Sequence, residues 1–135
     1  MKLVKISYED LNSRQRENFN FHKIAAVLAD YGFSSIRLND DWQGADFIAQ
    51  HIDGNTFVKV QLKSRCTIDK KYLGKGLFIA FPHNSSWFLY PHDELVSHLI
   101  SSSNVANTES WITSGSYHFN SISQDLLEHL NQYVL

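Results

Sequence analysis

The sequence is poor in cysteine and has no long hydrophobic run, and each absence excludes a class of protein. Its 135 residues include one cysteine, Cys66, so no disulfide can form within the chain, as is usual in a reducing cytoplasm. No apolar stretch reaches the roughly 17 residues that a membrane-spanning helix needs, and residues 1–10 lack the apolar centre of a secretory signal. We therefore expect a cytoplasmic protein without a membrane partner, folded as one domain over residues 1–135.

Basic residues are missing from residues 76–135. The formal net charge is −2, yet all 12 Lys and Arg residues precede residue 76. Residues 59–75 hold one acidic residue, Asp69, and six basic ones: Lys59, Lys63, Arg65, Lys70, Lys71 and Lys75. Such a stretch either attracts phosphate or forms a solvated charged surface.

The residue pattern predicts a mixed α/β domain with a central β-sheet flanked by helices. Apolar residues at helical spacing favour a helix over 13–31, capped by Asn12 and Gln15, and Gly32 is a plausible stop. Further helices are predicted over 92–100 and from Ser121 onward. The predicted strands are 33–38, 45–52, 55–63, 77–81 and 87–89, with short ones at 111–112 and 117–119.

A two-residue turn at Asp53-Gly54 would fix the register of the hairpin around it. Asp46 then lies opposite Gln61, and Lys63 points to the same face of the sheet. The opposite face carries small and apolar side chains, as a core requires: Phe47, Ala49, Val58, Val60 and Leu62.

One end of this hairpin thus gathers a carboxylate, a carboxamide and an ammonium group. Asp46 can hold Mg²⁺, which prefers oxygen ligands, and the amide oxygen of Gln61 can be a neutral second ligand. Lys63 can orient a water molecule and offset charge that develops on a phosphate. The alternative is a cross-strand ion pair between Asp46 and Lys63, with Gln61 as a polar neighbour.

The segment GADFIAQHIDGNTFVKVQLKSR resembles the core of the PD-(D/E)XK nuclease superfamily. Asp46 matches the Asp that begins one strand of a hairpin in that pattern, and Gln61-Leu62-Lys63 matches its acidic-x-Lys element as Q-x-K. The resemblance, which covers about residues 13–100, implies a restriction-endonuclease-like αβββαβ core, here followed by a C-terminal helix. It also implies a metal-dependent phosphodiesterase.

By this resemblance, Mg²⁺ (or Mn²⁺) is bound by Asp46, Gln61 and the backbone carbonyl of Leu62, and Lys63 positions the attacking water. A Glu on the first helix completes the site in many members, and Glu17 is the candidate; alternatively, Glu17 only interacts with the helix dipole. Gln61 in place of an acidic residue removes one negative charge and lowers the expected metal affinity. The "PD" element reads Ala45-Asp46.

Two functions follow. The first is a nuclease acting on nucleic acid, DNA more than RNA, whose backbone contacts come from Lys59, Arg65, Lys70, Lys71 and Lys75. The second is a catalytically weak or inactive module that binds nucleic acid or a protein partner. Either could act as a homodimer, since so short a chain leaves little room for a separate recognition domain.

Other chemistry-bearing residues predict less. No His-x-x-x-His pair exists, so a zinc site is not expected, and Cys66 has the features of an inert thiol. Asp40 and Asp41 either add outer-sphere charge to the site or cap a loop. Trp42 either stacks on a base or belongs to the core.

Overall fold

A computed structural model describes the backbone of residues 1–135 and every side chain except those of Asp41 and Trp42. The expectations for those two side chains therefore lie outside the described part. The helices are α1 (Ser13–Ala29), α2 (His92–Ser102) and α3 (Gln124–Leu130). The strands are β1 (Phe33–Trp42), β2 (Ala45–His51), β3 (Phe57–Leu62), β4 (Thr67–Asp69), β5 (Leu77–His83), β6 (Ser86–Pro91) and β7 (Ser116–His118).

The central sheet is mixed and has five strands in the order β1-β2-β3-β5-β6. All neighbours are antiparallel except β3 and β5, which are parallel, and β4 pairs with β7 in a separate two-stranded sheet. The α/β class with a mixed sheet flanked by helices is thus confirmed. The implied αβββαβ order places a helix between the third and fourth strands, whereas the connection from β3 to β5 contains β4 and a 3₁₀ turn, Lys70–Tyr72, and α2 follows β6.

Helix α1 begins as its capping residues predict. The Asn12 side chain accepts a hydrogen bond from the Gln15 backbone N–H, and the Gln15 side chain accepts one from the Asn12 N–H, both at 2.9 Å. The helix ends at Ala29, two residues before the predicted end, and Gly32 follows with a φ of 82°. Its apolar face buries Phe21, Ile24 and Leu28 against the sheet face that carries Phe47, Ala49 and Val60.

The register of the β2–β3 hairpin is as predicted, but its turn is not. Phe47 pairs with Val60 and Ala49 with Val58. Only Gly54 of the expected two-residue turn has a positive φ, and the Asp53 carboxylate accepts the Asn55 and Thr56 N–H groups at 2.8 Å. Because Asp53 binds the backbone beyond it, the chain forms a longer Asx-type loop rather than a type I′ turn.

The second face of the sheet packs on α2. Ile79, Phe81 and Tyr90 form a buried core there with Leu95 and Leu99. Gln61 is paired with Ile79, so the candidate residues of β3 lie on the face that carries this core.

None of the described helices combines the length and the apolarity that crossing a membrane requires.

Two predictions for the C-terminal part are wrong, one of an element's type and one of a helix boundary. The expected strand at residues 111–112 is part of a π-helical turn, Ser110–Ser114, because a short apolar pair does not distinguish a strand from a helical turn. Helix α3 begins at Gln124 instead of near Ser121, because the Ser123 side chain caps it by accepting the Leu126 N–H at 3.2 Å.

Candidate functional site

The candidate site lies where β2 and β3 separate. Their ladder of paired residues ends at Phe47 and Val60, and beyond it Ala45 pairs with Trp42 of β1. The next N–H of β3 that faces β2, that of Leu62, donates to Oδ2 of Asp46 at 2.8 Å. The carboxylate thus replaces a backbone acceptor at the fork, and this hydrogen bond fixes its position between the strands.

Gln61 contributes a side-chain oxygen that accepts no hydrogen bond. Its Nε2 donates to the carbonyl oxygen of Leu62 at 3.4 Å, while its Oε1 is buried and lacks a hydrogen-bond partner. Buried polar atoms are almost always hydrogen-bonded, so this acceptor is exceptional. Continued by one residue beyond its last pair, Phe47 with Val60, the hairpin register places Gln61 opposite Asp46.

Lys63 follows at the end of β3. Its backbone N–H donates to the Ala80 carbonyl at 2.9 Å, which keeps this residue attached to β5. Its ammonium lies 5.5 Å from the centre of the Tyr72 ring, a cation–π distance. Lys63 also borders a cleft of 430 Å³, together with Leu62 and Glu17.

Glu17 stands between two clefts. It lines the cleft of Lys63 and also a second one, of 320 Å³, which contains Asp46 and Asp40. Its side chain is 71% exposed, and its carboxylate is 4.0 Å from the guanidinium of Arg37 on β1. Arg37 was not predicted as a site residue, because nothing in the residue order shows that β1 brings it beside α1.

The oxygen donors at the fork suit a hard cation. Asp46 offers a carboxylate, Gln61 an amide oxygen, and Leu62 a carbonyl oxygen on the same side of the strand as its N–H. Mg²⁺ prefers oxygen ligands and retains several water molecules, so one carboxylate with neutral oxygens fits it. Among the described residues, no group of three or more His, Cys, Asp or Glu side chains could hold a metal ion.

The predicted nucleic-acid ligands have different surroundings. Lys59 Nζ donates to the Lys75 carbonyl at 2.6 Å, so Lys59 is partly used inside the protein. Lys70 lies 5.2 Å from the centre of the Trp111 ring. Lys71 is 3.9 Å from Asp69, and Arg65 donates to the Asn120 side chain.

His118 joins the basic residues that follow β3. Its Nδ1 is 3.0 Å from the Thr67 hydroxyl, because β7 pairs with β4. Burial lowers the pKa of His118, and the positive charges of Arg65 and Lys63 lower it further. His118 was not predicted as a neighbour of these residues, since the pairing of two three-residue strands distant in sequence leaves no local pattern.

The start of α2 anchors the loop that carries Lys70, Lys71 and Lys75. The buried His92 accepts the Asp69 N–H on Nε2 at 3.0 Å and bonds Asp93 through Nδ1 at 2.9 Å. Asp93 in turn accepts the Gly74 N–H at 2.9 Å. Both ends of the basic loop are thereby fixed to one helix terminus.

Cys66 takes no part in this chemistry. The thiol is fully buried, and burial raises its pKa to about 12, so it stays protonated and unreactive at neutral pH. The prediction of an inert thiol is confirmed.

Comparison with known proteins adds a remote structural likeness. No protein-family model matches the chain, and no curated protein sequence matches it. Among solved structures, it is similar to the Holliday junction resolvase Hjc of the archaeal hyperthermophile Archaeoglobus fulgidus. The identity is 14% and the TM-score 0.42, over 52% of this chain and 74% of the resolvase chain. The function proposed below therefore rests on this chain's own residues.

Proposed function

We propose that the protein is a Mg²⁺-dependent phosphodiesterase that cleaves nucleic acid, with Mn²⁺ as an alternative ion. The observation that carries the proposal is the fork between β2 and β3. There the Asp46 carboxylate is held by the Leu62 N–H, and Oε1 of Gln61 is buried without a donor. A cation would satisfy that oxygen and remove the free-energy cost of burying it unpaired.

The proposed roles follow from these positions. Asp46, Gln61 and the Leu62 carbonyl would hold the ion. Bound there, it would polarise a phosphate oxygen and lower the pKa of a water ligand. Lys63, in the adjoining cleft, would hold the attacking water and offset negative charge on the phosphate. Glu17 would add a second carboxylate at the boundary of the two clefts, positioned by Arg37.

The proposed substrate is nucleic acid, DNA more than RNA. Three exposed basic residues come soon after β3, where they can contact phosphates: Arg65, Lys70 and Lys71. Lys59 and Lys75 would support that surface from within, through their mutual hydrogen bond. A second copy of the chain would enlarge the surface that holds the substrate.

A second candidate function is a binding module without catalysis. The observation that favours it is the small number of carboxylates available to a metal ion at the fork. Asp46 lies there, and the Glu17 carboxylate is paired with Arg37. In this form the basic loop would hold nucleic acid, and no metal would be needed.

Cleavage assays with a labelled duplex and a labelled single strand separate the two functions. For the enzyme, we expect cleavage in Mg²⁺ or Mn²⁺ and none in chelator, with a loss of about 10²-fold or more in Asp46→Asn and in Lys63→Ala. Matched controls are Asp125→Asn and Lys2→Ala, both at exposed positions remote in sequence from the fork. Binding without cleavage, unchanged by Asp46→Asn, would instead establish the module.

A further inference from the structure

A continuous groove extends from the candidate site to the β5–β6 hairpin. The 430 Å³ cleft that contains Lys63 shares Tyr8, Asn20 and Ser64 with a neighbouring cleft of 640 Å³. Both volumes are in the range of ligand sites, roughly 300–1,000 Å³. We call the second cleft, bordered by Tyr8, Phe19, Lys23 and Trp87, the aromatic groove.

Half-buried aromatic rings form the walls of the aromatic groove. Trp87 comes from β6 and Phe19 from α1, so the rings approach from two different elements. Tyr8 packs edge-on against Phe19 with ring centres 5.4 Å apart, and its hydroxyl accepts a hydrogen bond from Asn20 at 3.0 Å. These contacts hold the rings in place before any ligand arrives.

Positive charge accompanies these rings. The Lys23 ammonium is 5.2 Å from the centre of the Phe19 ring, and the Arg16 guanidinium is 5.1 Å from that of Tyr8. Lys63 adds a third cation where the groove meets the candidate site. Among the described residues that line the two clefts, Glu17 is the one acidic side chain. An anionic ligand with planar groups would therefore complement both the positive charge and the aromatic rings of this groove.

We propose that the aromatic groove binds an unpaired nucleic-acid strand and leads it to Lys63 and Asp46. Unpaired bases would stack on Phe19 and Trp87, while their phosphates would face Lys23 and Arg16. Aromatic platforms combined with a cationic groove bind single strands without sequence preference, because every base has a π-face. Bases within a duplex are stacked on one another and cannot use these rings. The inference rests on the proposed function for its ligand class and specifies the substrate as a single strand or a frayed end.

The test measures binding in chelator, where no cleavage occurs. Anisotropy titrations would compare labelled oligo-dT and oligo-U with a duplex carrying the same number of phosphates. We expect a single strand of either sugar to bind more tightly than the duplex. Phe19→Leu and Trp87→Leu should each weaken single-strand binding about tenfold and change duplex binding less than twofold. Phe57→Ala, which removes an aromatic side chain that is 57% exposed on the opposite end of β3, is the matched control.

Lys23→Gln keeps the test valid if Trp87→Leu fails to fold, because the Lys23 side chain is exposed. It should weaken single-strand binding and reduce its dependence on salt by about one phosphate contact. Unchanged single-strand binding in Phe19→Leu and Lys23→Gln would overturn the inference. So would self-association that Phe19→Leu abolishes while oligonucleotide binding stays intact, since the groove would then belong to a second copy.

These outcomes are independent of the proposed activity. Single-strand binding that depends on the groove supports the inference even if no divalent ion induces cleavage. Conversely, Asp46-dependent cleavage that the groove variants leave unchanged would retain the proposed function and reject the groove.

Discussion

Residue 61 carries an amide at a point where a carboxylate would add charge for a cation. Its Nε2 donates to the Leu62 carbonyl, so Gln61→Glu would bring a carboxylate oxygen toward a carbonyl oxygen. We therefore expect this variant to be less stable than the wild type in chelator, by about 1 kcal/mol. Its Mg²⁺ affinity should rise about tenfold, because affinity increases with ligand charge. Thermal melts across a Mg²⁺ titration and calorimetry measure the two effects.

Gln50→Glu is the matched control, since Gln50 is an exposed residue of the same hairpin. It should alter neither the metal affinity nor the difference between melts with and without Mg²⁺. An equal Mg²⁺ response in both variants would mean that the fork between β2 and β3 is not a cation site, which would also count against the proposed enzyme.

At the scale of elements, the tight turn between β1 and β2 determines how closely that hairpin approaches Tyr72. Gln43 and Gly44 both have positive φ, at 57° and 84°, between the paired residues Trp42 and Ala45. A Cβ atom on Gly44 would lie 2.9 Å from a Leu77 methyl carbon and 3.0 Å from the Tyr72 ring. Glycine is therefore required here both for its backbone conformation and for space.

We expect Gly44→Ala to destabilise the protein by about 2–4 kcal/mol, from the positive φ and the overpacking combined. Gly54→Ala separates the two causes, because Gly54 also has a positive φ, 74°, but a Cβ there would meet nothing within 4 Å. That control should cost about 1 kcal/mol. Urea unfolding of both variants gives the difference, and equal losses would show that the approach to Tyr72 can relax without cost.

The β-hairpins also show which features a sequence can predict. The β2–β3 register was predicted from a two-residue turn that does not form, yet the register itself is correct, because a one-residue slip would expose Phe47 and Val60. The position of the tight turns was not predictable in the same way. Gln43-Gly44 and Asn84-Ser85 both have positive φ without an Asn-Gly or Asp-Gly signal.

The candidate site divides along the same line. Asp46, Gln61 and Lys63 lie within or directly after one hairpin, so the hypothesis that they act together needed only local register, and the structure adds the hydrogen bond from the Leu62 N–H to Asp46. The pairing of Glu17 with Arg37, and the position of His118, depend on how α1 and β7 pack, which a local pattern does not contain.

At the scale of the whole molecule, residues 76–135 contain five of the seven histidines and no Lys or Arg. Burial lowers the pKa of His92, whose Nε2 accepts the Asp69 N–H and must stay unprotonated to do so. Burial also lowers the pKa of His129, and the adjacent His98 ring, stacked at 3.5 Å, lowers it further. The pKa of His118 is lowered as well.

These shifts predict a stability that falls on mild acidification. Unfolding returns each histidine to a pKa near 6.5, so below that pH the unfolded chain binds more protons than the folded one. The contribution is complete above pH 6.5 and declines as the pH falls toward the lowered values, with a slope for His92 of at most about 1.4 kcal/mol per pH unit. Urea unfolding between pH 5 and 8 should therefore show a plateau at neutral pH and a decline below it.

His129→Gln should make the decline shallower, whereas His22→Gln, at an exposed position on α1, should leave it unchanged. Stability that rises as the pH falls would mean that these imidazoles gain partners on protonation, contrary to the hydrogen bond that His92 accepts from Asp69.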